Sequence, residues 1–201
     1  MTQTPEPSDY VRGLPFGEEL PVPEDSFVHW ATFPFEGEFT VKRLTEPELP
    51  EPPRDGEAGS ADCSTCRTPV EEALWADDHW RVDAIRTGLP SCLMLQPRAH
   101  HDLADLPPER AVELGPMIQR VERALHSLGG IARVHVNRWG DGGAHLHLWF
   151  LPRPQGLTQF RGTFLSLWEE LIPQRTPDQL ATANRQVAAS LAKDGGTAYL
   201  V

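Results

Sequence analysis

The stretch Ala144-His145-Leu146-His147-Leu148-Trp149-Phe150 decides the fold. Side chains alternate along a strand, so one face carries His145, His147 and Trp149 and the other Leu146, Leu148 and Phe150. This predicts a half-buried strand from Ala144 to Leu151. A second β-rich run, Ile131 to Asn137, precedes it across the turn-rich loop Arg138-Trp139-Gly140-Asp141-Gly142-Gly143, and the two read as a hairpin. Two imidazoles lined up on one surface are either incidental to such a strand or groups with a task, metal binding foremost.

Working outward, Pro107 to Leu128 reads as a helix, since Ala111, Leu114, Ile118, Val121, Leu125 and Leu128 recur at three and four and Gly129-Gly130 ends it. Pro116 inside that pattern predicts a kink or a later start. Three short strands precede the helix: Ala73 to Ala76, Trp80 to Ile85, and Ser91 to Gln96 between Pro90 and Pro97. After the hairpin come helices over Thr163 to Leu171 and Pro177 to Lys193, with Gly195-Gly196 beyond. The class this predicts is α+β, an antiparallel sheet flanked by helices over residues 61–201, with its core in 63–155 and a helical C-terminal extension.

Residues 1–60 differ in kind. They hold 13 acidic and 4 basic residues, net −9 of the chain's −11, and 10 of its 20 prolines. Such composition reads as an extended, Pro-rich acidic arm. Phe27, Trp30, Phe33, Phe35 and Phe39 are unusual in it and predict a segment that packs rather than floats. The remaining 141 residues carry a net charge of only −2. That near-neutral body argues against a basic face for non-specific duplex binding, and no extended nucleic-acid surface is expected. No apolar run approaches the ~20 residues of a membrane span, and the N-terminus has no basic n-region or apolar h-region, so a cytoplasmic address is expected. Cys63-Ser64-Thr65-Cys66 then suggests metal or redox chemistry, and Cys92 is left over.

The run H-L-H-L-W-F-L from His145 to Leu151 resembles the His-φ-His-φ-His-φ-φ signature of the histidine triad superfamily of nucleotide hydrolases and transferases. The likeness extends to L-P-S-C-L-M-L-Q-P-R-A-H (Leu89 to His100), similar to that family's strand ending in Pro-Lys-x-His, to the helix, and to V-N-x-x-G-D-G-G (Val136 to Gly143). It covers about 63 to 155.

By this resemblance the middle histidine, His147, is the nucleophile. It attacks a nucleotide α-phosphorus, and water or another acceptor resolves the nucleotidyl-histidine. Gly142 and Gly143 would offer backbone N–H groups to phosphate oxygens. Asn137, His145, Trp149 and Arg153 complete the expected substrate site. A homodimer is implied as well. Cys63, Cys66, His100 and His145 make a Cys2His2 set suited to a closed tetrahedral zinc site, a layout that a branch of the family resembles; His101 is the alternative ligand. Unligated thiols or a redox pair are the alternatives, the latter disfavoured because no βαβ unit follows. Three departures stand out: Trp149 replaces the third histidine, Ala144 alone separates Gly143 from His145 where the family carries a Gln-Ser-Val-like segment, and Asp83 lies one residue from the expected ribose carboxylate. They keep a second function open, a zinc-stabilised nucleotide-binding module without catalysis.

Overall fold

The computed structural model describes residues 6, 9–12 and 14–199. The chain divides into two compact units, Met1–Pro53 and Arg54–Val201. In the first, helix α1 (Asp9–Arg12) and a 3₁₀ turn at Phe27–His29 are the described helical elements. Its aromatics pack on one another: Phe33 meets Phe27, Phe35 and Phe39 edge-on, at centroid distances of 5.8, 5.6 and 5.3 Å.

The second unit is the expected α+β fold. Strands β1 (Trp75–Ala76), β2 (Trp80–Ala84), β3 (Leu93–Pro97), β4 (Ile131–Asn137), β5 (Leu148–Pro154) and β6 (Thr197–Ala198) form one antiparallel sheet in the order β4-β5-β3-β2-β1-β6. Helix α2 (Ser64–Arg67) precedes β1. Helix α3 (Pro108–His126) lies between β3 and β4, and α4 (Phe164–Leu171) and α5 (Pro177–Ala192) follow β5.

Alternation assigns the two faces of the sheet. Trp80, Val82, Leu93, Leu95, Leu148 and Phe150 point to one side, where α3 buries Met117, Val121, Ala124 and Leu125 and α5 buries Val187, Ala188 and Leu191. Burying a side chain of this size contributes roughly 1.5–3 kcal/mol, so this cluster is the main core. Helix α3 runs unbroken through Pro116, which sits on its exposed face. The opposite side of the sheet carries Trp149 and Leu151, covered in part by Phe160 and Leu165. Across it the register aligns Asn137, Trp149, Met94 and Asp83 in one row.

Two expectations are corrected. The strand expected from Ala144 begins at Leu148. Its neighbour β3 ends at Pro97, which has no N–H to continue the ladder, and Leu146 N–H donates to His101 C=O instead, at 2.7 Å. Residues 144–147 therefore run free of the sheet. A strand the sequence reading did not include follows α5: Gly195 and Gly196 have positive φ and turn the chain back into β6, on the β1 edge.

Candidate functional site

Cys63, Cys66, His100 and His145 converge, with one donor atom from each within 4.8 Å of the others. Cys63 Sγ lies 3.4 Å from His145 Nδ1, and Cys66 Sγ lies 3.4 Å from His100 Nδ1 and 3.5 Å from His145 Nδ1. Zinc bonds of about 2.3 Å to sulfur and 2.0 Å to nitrogen, at tetrahedral angles, place such donors about 3.5 Å apart. Each imidazole also has its far nitrogen tied to backbone: Nε2–H of His145 donates to Pro97 C=O at 2.8 Å, and that of His100 to Gly56 C=O at 3.2 Å. Both rings are thereby fixed with Nδ1 facing the thiols, the outer-shell arrangement typical of metal-bound histidine.

The set fits one structural zinc ion. Burial holds the His145 pKa below the ordinary imidazole value and pushes the Cys66 thiol up to about 11, with the nearby Cys63 adding to it. As free groups this thiol and imidazole therefore rest neutral, and zinc binding would release thiol protons. His101 contributes its backbone carbonyl to Leu146 and is not part of the cluster.

The segment just before Cys63 belongs to this site, although its composition groups it with the arm. Asp55 accepts from Ser64 N–H and Oγ–H, the latter at 2.7 Å, and these bonds hold its carboxylate pKa below the usual range. Gly56 has φ +75°, and a Cβ there would lie 2.8 Å from His100 Cε1 and 2.9 Å from Cys63 Cβ. Gly56→Ala is therefore expected to displace a ligand from each half of the cluster. It should weaken zinc retention in a chelator competition by at least about tenfold, the scale of an outer-shell loss. Gly17→Ala, which meets nothing within 4 Å, is the matching positive-φ control.

The loop Arg138–Gly143 lies against His147. Asp55 N–H donates to Gly142 C=O and Ala144 N–H donates to Asp55 C=O, so residues 54–56 brace the loop from outside. Among the described residues the N–H groups of Gly142 and Gly143 have no hydrogen-bond partner. Arg54 Nη1 reaches both Gly140 C=O, at 3.1 Å, and Asp102, at 2.9 Å, while Arg138 grips the other Asp102 oxygen.

Burial of Asp102 raises its pKa, but Leu103 N–H, Arg138 and Arg54 outweigh that and hold it at about 2. The folded value is below the unfolded one near 3.9, so the stabilisation is fully present above about pH 5 and is lost as pH falls through about 2. Its size is about 2 kcal/mol. Denaturant melts of wild type and Asp102→Asn should differ by that amount at pH 7 and converge toward pH 2.

His147 sits inside this frame. Both of its ring nitrogens face backbone carbonyls, Nδ1 at 2.8 Å from His145 C=O and Nε2 at 2.7 Å from Trp139 C=O. Gly143 passes close enough that a Cβ would meet the His147 ring at 3.7 Å. Asn137 and Trp149 face each other in the β4–β5 register, and the Trp149 indole meets Trp139 at a centroid distance of 6.1 Å. Arg153 is not brought here. It lies six residues beyond His147, about 20 Å along an extended chain, and donates to Leu157 C=O. Asp83 is held by Arg81, whose guanidinium spans both its oxygens. The sequence reading missed Asp55, Gly56, Asp102 and the Trp139 carbonyl; an Asp-Gly turn at 55–56 ahead of the CxxC was the one available signal.

No family model and no curated protein matches the chain. Among solved structures it is similar to a zinc-bound histidine triad family protein from Mycobacterium smegmatis, at 24% identity and TM-score 0.48 over 67% of this chain and 96% of that one. It is also similar to a histidine triad protein from Marinobacter aquaeolei VT8, at 21% identity and TM-score 0.49 over 60% of this chain and 88% of the other. A uridylyltransferase mutant aligns at 17% identity and TM-score 0.45, over 66% of this chain and 48% of its own. Among the described residues no helix is long and apolar enough to cross a membrane.

Proposed function

We propose that the chain is a histidine triad-type nucleotide hydrolase or nucleotidyl transferase with His147 as its nucleophile. The observation that carries the reading is the setting of His147. His145 C=O lies 2.8 Å from Nδ1 and Trp139 C=O lies 2.7 Å from Nε2, so once the Trp139 carbonyl moves off, an Nδ1–H bond to His145 C=O would leave the lone pair on Nε2, beside a glycine loop with two unused N–H groups. In the step proposed, Nε2 bonds to the α-phosphorus of a nucleotide and the bond to the leaving group breaks, its electron pair departing with that group. Water then attacks the same phosphorus, the P–N bond breaks, and the imidazole is regenerated. Gly142 and Gly143 N–H would hold the non-bridging oxygens as charge builds on them. Asn137 would support the strand end beside Trp149.

Zinc, when bound, supplies folding energy and a fixed backbone rather than chemistry. Holding His145 holds the carbonyl that orients His147. Trp139 C=O caps Nε2, so the loop that carries it must shift before attack.

A second reading, a zinc-stabilised nucleotide-binding module, is favoured by Trp149. Indole offers one N–H donor and no titratable nitrogen, so it cannot relay a proton as a third histidine could. The test is a panel of nucleoside phosphoramidates and dinucleoside polyphosphates, assayed for turnover and binding with the zinc-loaded protein. Turnover supports the enzyme. Binding without turnover selects the second reading, and neither would overturn both.

A further inference from the structure

We propose that the cavity beside His147 is a base pocket that selects guanine over adenine, an inference that rests on the nucleotide reading above. The cavity has a volume of about 390 Å³ and is walled by Trp139, Trp149 and Ile85, with Arg86, Glu169 and Glu170 at its polar side. It adjoins the nucleophile through two of these residues. Trp139 places its carbonyl 2.7 Å from His147 Nε2 while its indole lines the cavity, and Trp149 is two residues from His147 along the chain. The two indoles, inclined at 61°, give an apolar aromatic wall against which a flat ring packs.

The polar groups specify which ring. Glu169 is held in place, accepting from Thr87 Oγ–H at 2.8 Å. Arg86 and Glu170 make no hydrogen bond or ion pair among the described residues, although both line the cavity. Both are exposed, and a carboxylate and a guanidinium on the rim of one pocket suit a ligand with both donors and acceptors on its edge. Guanine has them: N1–H and the N2 amino group are adjacent donors matching two carboxylate oxygens, and O6 with N7 matches the guanidinium fork. Adenine offers its amino group beside the N1 lone pair, so a carboxylate gains one bond and meets one repulsion. An ammonium ligand would suit the indoles and the glutamates but not Arg86.

The test is calorimetric titration of the zinc-loaded full chain with GMP and with AMP at one salt concentration. GMP should bind at least about tenfold tighter, the worth of one hydrogen bond to a charged group. Glu170→Gln, on an exposed position, should weaken GMP by about tenfold and change AMP by less than about twofold, erasing the preference. Equal affinities for GMP and AMP that Glu170→Gln leaves unchanged would overturn the guanine pocket while the nucleotide reading stands. Binding of neither nucleotide would overturn both.

Discussion

Replacing Cys63 with serine is expected to remove about one equivalent of zinc per chain and to lower the melting temperature by about 10 °C or more. The size follows from what the metal offsets. Cys63 is fully buried, and its sulfur stands 3.4 Å from His145 Nδ1 in the middle of the unit. Without the ion, two thiols and two imidazoles share a cramped, partly dry space, and Cys63 and Cys66 lose the bonds that would join their segment to His100 and His145. Structural zinc contributes folding energy outright, and a loss of several kcal/mol in a domain of this size shifts melting by about 2–4 °C per kcal/mol. Metal analysis and a thermal melt read both effects. Cys92 is the control: it is buried in the second apolar cluster with its thiol pushed up to about 12 by burial, and Cys92→Ser should leave zinc content unchanged. Metal-free wild type with an unchanged melt would contradict the assignment.

The second large effect is on turnover. His147→Ala should lower kcat/KM by about 10³-fold or more while changing nucleotide affinity only a few-fold, because a covalent step cannot proceed without the atom that forms the bond. The variant should fold, since His147 lies outside the strand ladder and its ring contacts are two backbone carbonyls at the edge of the loop. Parallel losses of affinity and turnover would instead mark His147 as a binding residue.

How much of this was legible beforehand depended on how local the cause was. The alternation Leu148-Trp149-Phe150 gave the faces correctly because one face packs on α3 and α5, and a period of two survives whatever lies opposite. The CxxC and the two histidines were legible as donors of a zinc site by residue type and spacing. The start of β5 was not, since it is set by Pro97 on a neighbouring strand. Strand β6, two residues long, has no pattern to detect and exists because two glycines return the chain to β1. Arg54 to Gly59 read as arm by composition, yet Asp55 and Gly56 meet the loop and the ligands through backbone geometry that composition does not encode. Arg153 was placed in the site by the resemblance, and the extended strand carries it six residues beyond His147, where it donates to Leu157 C=O.

The central claim, a nucleotide chemistry run through His147, is tested most directly by intact-mass and peptide-mapping spectrometry on protein quenched during turnover of a nucleoside phosphoramidate. The account predicts a transient gain of one nucleoside monophosphoryl group, acid-labile and mapped to His147, and its absence from His147→Ala. Turnover with no adduct in the wild type, or an adduct mapped to any other residue, would contradict it.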